Sequence, residues 1–410
     1  MPASIFKRTV MEEIVKYLST DDIIGIHGAR QVGKTSILLY LQKQLEETNE
    51  QTFYFDLEDS RFVSLLDRGV DEFIVYLGER GFDLPVFRKS DRKLFVMIDE
   101  IQYLANPSSF LKLLADHHKY LKIIVSGSSS FSMKSKFKDS LVGRTVNFEI
   151  YPLSFREFLS FRDVAFIPAE RFTDKKTAEL KTLFREFAAY GGYPKIVLTS
   201  DASMKERYLQ QIIDTYIRKD IRDLAEIKDV NKFYRLLEIL ASQSGNLLNI
   251  SELCVTCSLS RETVDRYLFL LEQTYILRLV RPFNRNLRSE LTKTPKILFY
   301  DTGLMQILWL KQLQREIVGA VFETSIFAEL IKQYGVNNVF YWRTQDKQEI
   351  DFVLRAGTDV IPLEAKLSFP RAIPTAILSF KEKYKPKAYW VVGLDGNVGE
   401  SRFIHPWQLP

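Results

Sequence analysis

Apolar positions along the chain follow two rhythms. Up to about residue 126, short and nearly continuous apolar runs recur: Asp22-Ile23-Ile24-Gly25-Ile26-His27, Thr52-Phe53-Tyr54-Phe55-Asp56-Leu57, Lys93-Leu94-Phe95-Val96-Met97-Ile98-Asp99 and Leu121-Lys122-Ile123-Ile124-Val125-Ser126. Helical patterns separate them, the first from Lys34 to about Leu45. Strands of this kind predict a parallel sheet covered by helices on both faces. After Tyr151-Pro152-Leu153 the pattern is helical to about Ser242, and short helices with turn signals continue to about Gly303. A helix from Glu316 to Tyr334 then precedes short strands at 339–342, 350–354, 360–365 and 388–392, which read as a second α/β unit. The sequence contains no internal repeat and no low-complexity segment.

The loop after the first strand carries chemistry. Gly28-Ala29-Arg30-Gln31-Val32-Gly33-Lys34-Thr35 fits GxxxxGK[ST] at every fixed position and has the required strand before it and helix after it. In such a loop backbone N–H groups, including that of Ser36, and the positive end of the helix converge on phosphate oxygens. Lys34 is expected to reach the β- and γ-phosphates of ATP, and Thr35 to place its hydroxyl on Mg²⁺. The run 94–100 ends in Asp99-Glu100, at the strand end where open α/β sheets bind ligands. Asp99 is assigned to Mg²⁺ through water, and Glu100 to the attacking water as general base. Ser126 ends the fourth run and is expected to lie between these two motifs, touching the γ-phosphate or the water; serine also suits a helix cap. Arg144, one helix further on, fits either a transition-state contact, in its own chain or a neighbouring subunit, or an ordinary surface position.

Composition narrows the setting. The chain has 410 residues, 46% hydrophobic and 27% charged, enough for several domains without staples. Cys254 and Cys257 are its two cysteines, too few for a structural zinc site, and they read as small core residues. The N-terminal segment is amphipathic with acids in it, and no apolar run approaches a membrane span. The expectation is a cytoplasmic protein with no membrane partner.

Two further constellations stand out. Segments 248–253 and 258–271 read as serine-capped helices joined by a tight turn, with Val264, Tyr267, Leu268 and Leu271 on one stripe and Arg261 and Arg266 outside it. Between 278 and 296 the six basic residues Arg278, Arg281, Arg285, Arg288, Lys293 and Lys296 face only Glu290, an excess equal to the formal net charge of +5. A helix-turn-helix beside a basic hairpin suits duplex DNA held through phosphates, with Arg261, Arg266, Arg285 and Arg288 as contacts; a packing module with a solvated hairpin suits the pattern equally. Near the C-terminus, Glu323 lies on a helix, Asp351 on a strand with Glu349 on the same face, and Glu364 shares a strand face with Lys366. The order resembles the metal site of PD-(D/E)xK nucleases, with Asp351 and Glu364 as Mg²⁺ ligands and Lys366 assisting, although Ile350 replaces the motif's proline. Alternating charges on solvated strands give the same strings.

The segments GARQVGKTS, LFVMIDEIQYL, IIVSGSSSFSMKSKFKDSLVGRTVNFEIYPLSFREF and AAYGGYPKIV are together similar to a prokaryotic family of AAA-type ATPases with a C-terminal DUF4143 domain. The resemblance covers essentially the whole chain. It implies an α/β fold with an AAA-type core over 1–155, a helical lid over 156–242, a winged-helix region over 243–310 and a restriction-endonuclease-like domain over 311–410. The expected function is ATP hydrolysis with Mg²⁺, coupled to a nucleic-acid or protein partner, with a homo-oligomer as a further expected partner. Two alternatives stand beside it, an ATP-dependent nuclease and a nucleotide-switched DNA-binding scaffold. The C-terminal carboxylates are expected to converge, with little cleavage in the absence of a partner.

Overall fold

The computed structural model describes residues 6–128, 141–216, 229–284, 294–396, 398 and 402–409. Arg285, Arg288, Ser129 and Ser130 lie outside the described residues. Two compact units are present, Met1–Tyr151 and Pro152–Pro410.

In the first unit, β1 (Ile23–Gly28), β2 (Thr52–Asp56), β3 (Leu94–Asp99), β4 (Leu121–Ser128) and β5 (Thr145–Ile150) form one parallel sheet in the order β2-β3-β4-β1-β5. The central strands β1 and β3 are buried along their whole length, as strands covered on both faces must be. β5 was not expected from the sequence. It is an edge strand whose residues Thr-Val-Asn-Phe-Glu-Ile alternate in polarity, so it lacks the continuous apolar signature of its neighbours. Helix α1 (Lys34–Glu47) follows β1 and lies against β1 to β4 through Ile37, Leu38 and Leu41. The opposite face holds a core of Phe55, Val96, Ile98, Ile123 and Val125, covered by helices that include Val70–Glu79 and Pro107–His117.

The second unit opens with a capping box: the Ser154 hydroxyl accepts from Glu157 N and the Glu157 carboxylate accepts from Ser154 N. Helices at Asp174–Tyr190, Ala202–Thr215 and Val230–Ser242 follow. Helices α2 (Ile250–Cys257) and α3 (Arg261–Gln273) are joined by a short turn in which Ser258 adopts φ 52°. Ser260 caps α3, but Asn249, not a serine, caps α2. The antiparallel pair β6 (Leu277–Val280) and β7 (Lys296–Phe299) comes next. Helix α4 (Gly319–Tyr334) packs on β9 (Glu349–Ala356) and β10 (Asp359–Ser368). These strands belong to a mixed sheet ordered β12-β11-β10-β9-β8, completed by β8 (Val339–Arg343), β11 (Trp390–Asp395) and β12 (Phe403–Ile404). Among the described residues no helix is long and apolar enough to cross a membrane.

Candidate functional site

The phosphate loop runs from the C-terminal end of β1 into α1. Gly28, at φ 154°, sits so close to β5 that a Cβ there would meet the Ile150 carbonyl at 2.2 Å, so only glycine fits. Gln31 and Gly33 take left-handed conformations, φ 60° and 97°, and turn the chain into the helix start. Ala29 and Val32 are buried beneath the loop, Arg30 and Ser36 are half-buried, and Thr35 is exposed on the first helical turn. Lys34 is buried, with its ammonium donating to the carbonyls of Gly28 (3.2 Å) and Ala29 (2.8 Å). Sequence reasoning missed the brace under this loop. Arg8 is buried and donates to Val32 O (2.7 Å) and Tyr151 O (2.9 Å), fixing the loop from a distant part of the sequence.

Strand order brings the acid pair to the same end of the sheet. β4 lies between β3 and β1, so Asp99 and the loop are two strand spacings apart, roughly 10 Å. Asp99 is 3% exposed. Its Oδ1 accepts from the Ser126 hydroxyl, and its Oδ2 accepts from the Tyr54 hydroxyl at 2.8 Å. Ser126 Oγ in turn accepts from Glu100 N at 3.1 Å. Ser126 therefore organises the acid pair; its oxygen is committed to Asp99 and Glu100. Burial, with Asp99 beside it, pushes the Tyr54 phenol far above its ordinary value, so it stays a neutral donor. Glu100 has φ 56°, and Gln102 donates to its carboxylate. Tyr54 and Gln102 had no motif signal, being ordinary members of a strand and a turn.

Arg144 stands away from the phosphate loop of its own chain. It immediately precedes β5, whose first residue pairs with Ile23 at the start of β1, so it stands at the sheet edge opposite the phosphate loop. Its guanidinium donates to both Asp116 carboxylate oxygens, at 2.6 and 3.1 Å. A transition-state role within its own chain does not fit that position.

These features coincide with the family comparisons. Residues 20–159 match the AAA domain model, and residues 318–409 match a domain of unknown function, DUF4143. The chain is therefore similar to AAA-domain proteins over its first unit and to DUF4143 proteins near its C-terminus. Residues 181–315 match a further domain of unknown function, DUF8612. An uncharacterized protein of Haemophilus influenzae is 26% identical over 99% of this chain and 99% of its own. One from Methanocaldococcus jannaschii is 26% identical over 85% of this chain and 75% of its own. The crystal structure of Cdc6p from Pyrobaculum aerophilum aligns over 77% of this chain and 98% of its own at 12% identity, with a TM-score of 0.33, too low to support any inference.

In the second unit, the predicted carboxylates meet across β9, β10 and α4. The Lys366 ammonium lies 2.7 Å from Glu364 Oε1 and 3.6 Å from Asp351 Oδ2. Asp351 Oδ2 accepts from Ala365 N at 2.9 Å, and Glu364 Oε2 from Asp351 N at 3.4 Å. Glu323 is tied to them through Lys296, whose ammonium lies 3.1 Å from Glu323 Oε1, 2.5 Å from Glu349 Oε1 and 3.9 Å from Asp351 Oδ1. Lys296 is 2% exposed, which corrects its place in the basic surface stripe: it is buried among carboxylates. Burial, with Asp351 nearby, raises both Glu323 and Glu364 to about 7. Burial opposes the charge on Lys296, but Glu323, Asp351 and Glu349 outweigh it and raise the ammonium above its ordinary value. Mg²⁺ ligation by Asp351 and Glu364 does not fit this donor set, because lysines and backbone amides already engage those carboxylates. Among the described residues no three His, Cys, Asp or Glu side chains are grouped to hold a metal ion.

Of the four arginines expected to contact DNA, Arg261 and Arg266 lie among the described residues. Arg261 and Arg266 are exposed on α3, the former 3.8 Å from Asp265. Arg278 lies 3.4 Å from Glu272 and donates to Asn337 at 3.2 Å. Cys254 is half-buried and Cys257 buried, and both are free thiols.

Proposed function

We propose that the chain hydrolyses ATP at the loop 28–35 with Mg²⁺, in the cytoplasm, and couples the turnover to a macromolecular partner. The observation that carries this is the Asp99–Ser126–Glu100 bridge at the same sheet edge as the phosphate loop. Backbone N–H groups at the start of α1 bind phosphate oxygens, and Lys34 exchanges its two loop carbonyls for the β- and γ-phosphates. The residues suit Mg²⁺: the exposed Thr35 hydroxyl and the fixed Asp99 carboxylate would hold the ion, which would supply positive charge against the phosphate oxygens. Glu100 orients the attacking water and takes its proton. Phosphate release by wild type, Lys34→Ala and Glu100→Gln tests the reading, and equal rates in all three would reject it.

A second reading concerns the partner. The pair α2/α3 followed by β6 and β7 is compatible with a winged helix, and exposed Arg261 and Arg266 suit phosphates of duplex DNA. Fluorescence anisotropy with duplex DNA at two salt concentrations tests it; binding that survives loss of both arginines would reject their role. The C-terminal sheet with α4 is compatible with a PD-(D/E)xK-like fold.

A further inference from the structure

We infer that the carboxyl cluster of the C-terminal sheet takes the Lys296 ammonium, seated among Glu323, Glu349 and Asp351, as its resident cation in preference to a divalent metal. The cluster draws on four carboxyl groups, Glu323 from α4, Glu349 and Asp351 from β9 and Glu364 from β10. The groups facing them are Lys296 from β7, Lys366 from β10 and Arg343, which lies 3.0 Å from Glu349 Oε2. Asp351, the carboxylate that a metal site of this order cannot lack, has both oxygens engaged: Oδ1 faces Lys296, and Oδ2 accepts from Ala365 N and faces Lys366. Glu364 is engaged by Lys366 and Asp351 N.

Lys296 is held in place by its backbone. It opens β7, opposite Val280 of β6, and forms an isolated bridge with Leu247 on the other side. Flanking bonds run from Leu248 N to Pro295 O and from Ile297 N to Asn246 O. Backbone pairing on both sides fixes the Cα of Lys296, and Glu323 and Glu349 hold its ammonium. The Tyr341 ring lies 5.7 Å from the ammonium and closes another side. A dication entering the cluster would sit within a few ångströms of a buried positive charge, where repulsion is poorly screened. The cluster therefore keeps the order of nuclease residues while the lysine that opens β7 supplies its cation, tying the β6–β7 pair to the C-terminal sheet.

Mn²⁺ binding to the nucleotide-free full chain, read by electron paramagnetic resonance and calorimetry, tests this. Wild type and Asp351→Asn should bind Mn²⁺ equally weakly. Lys296→Met should gain one site, tighter by about tenfold or more, and the added Asp351→Asn change should remove it. Mn²⁺ should also raise the melting temperature of Lys296→Met and leave that of wild type unchanged. A wild-type Mn²⁺ site that Asp351→Asn weakens would overturn the inference, and so would a folded Lys296→Met chain that gains none. If Lys296→Met does not fold, the comparison of wild type with Asp351→Asn still decides.

Discussion

Ser126→Ala tests the core of the nucleotide site while leaving Lys34, Thr35, Asp99 and Glu100 in place. Ser126 is fully buried, and its hydroxyl both donates to Asp99 and accepts from Glu100 N. A hydrogen bond to a charged group contributes about 1.5–3 kcal/mol, and an orphaned buried donor costs about 1–3 kcal/mol. The second penalty is only partial here, because Glu100 N also lies 3.2 Å from Asp99 Oδ1. The expected loss of stability is therefore about 2 kcal/mol. Turnover should fall further than binding. Glu100 is held at φ 56°, a conformation that costs a non-glycine residue about 1–2 kcal/mol. Releasing its N–H lets the carboxylate leave the position from which it orients water, and a loss of about 1.5–2 kcal/mol corresponds to a roughly 10- to 30-fold lower kcat. Phosphate release at saturating ATP and Mg²⁺ measures this, with ATP affinity from calorimetry and stability from urea titration. Tyr54→Phe is the comparison: it removes only the Asp99 Oδ2 bond and leaves Glu100 untouched, so its kcat should fall less. Wild-type turnover in Ser126→Ala would refute the argument that Ser126 positions the acid pair.

Lys34→Ala should abolish tight ATP binding, whereas Glu100→Gln should retain it and stop phosphate release; calorimetry beside the turnover assay separates them. Arg144→Ala should leave turnover unchanged, since its guanidinium is taken by Asp116 at the far sheet edge; a large fall would place it at a neighbouring subunit's phosphates. Lys296→Met should lower the urea midpoint by an amount equivalent to about 3–5 kcal/mol, the cost of removing one partner from a buried charge cluster. Glu323 and Glu364 titrate at about 7 in the folded chain, above the ordinary carboxylate range, so the folded state binds more protons than the unfolded one between about pH 4.5 and 7. Their contribution to stability is full below that window and is lost as pH rises through it, on the order of 3 kcal/mol for one group taken alone. Urea titrations at pH 5.5 and 8 should show a smaller difference in Glu364→Gln than in wild type.

What the sequence made legible follows from how each feature is encoded. The phosphate loop is contiguous, and its glycines answer a local demand, as the contact between Gly28 and the Ile150 carbonyl illustrates. Asp99 and Glu100 were readable because a fully buried strand must end where its acids begin. The partners that hold them were not. Arg8 reaches Val32 across 24 positions and Tyr54 reaches Asp99 across 45, and neither residue type in its own surroundings differs from many others. Lys296 shows how charge counted along a sequence can mislead. In the string from Arg278 to Lys296 it looks like one more solvated cation, yet it is followed by Ile297-Leu298-Phe299, all buried. A lysine opening such a strand can remain charged only beside carboxylates, and Glu349, already noted on the Asp351 face, supplies one. The same burial that conceals Lys296 from a reading of surface charge is what brings its ammonium among Glu323, Glu349 and Asp351.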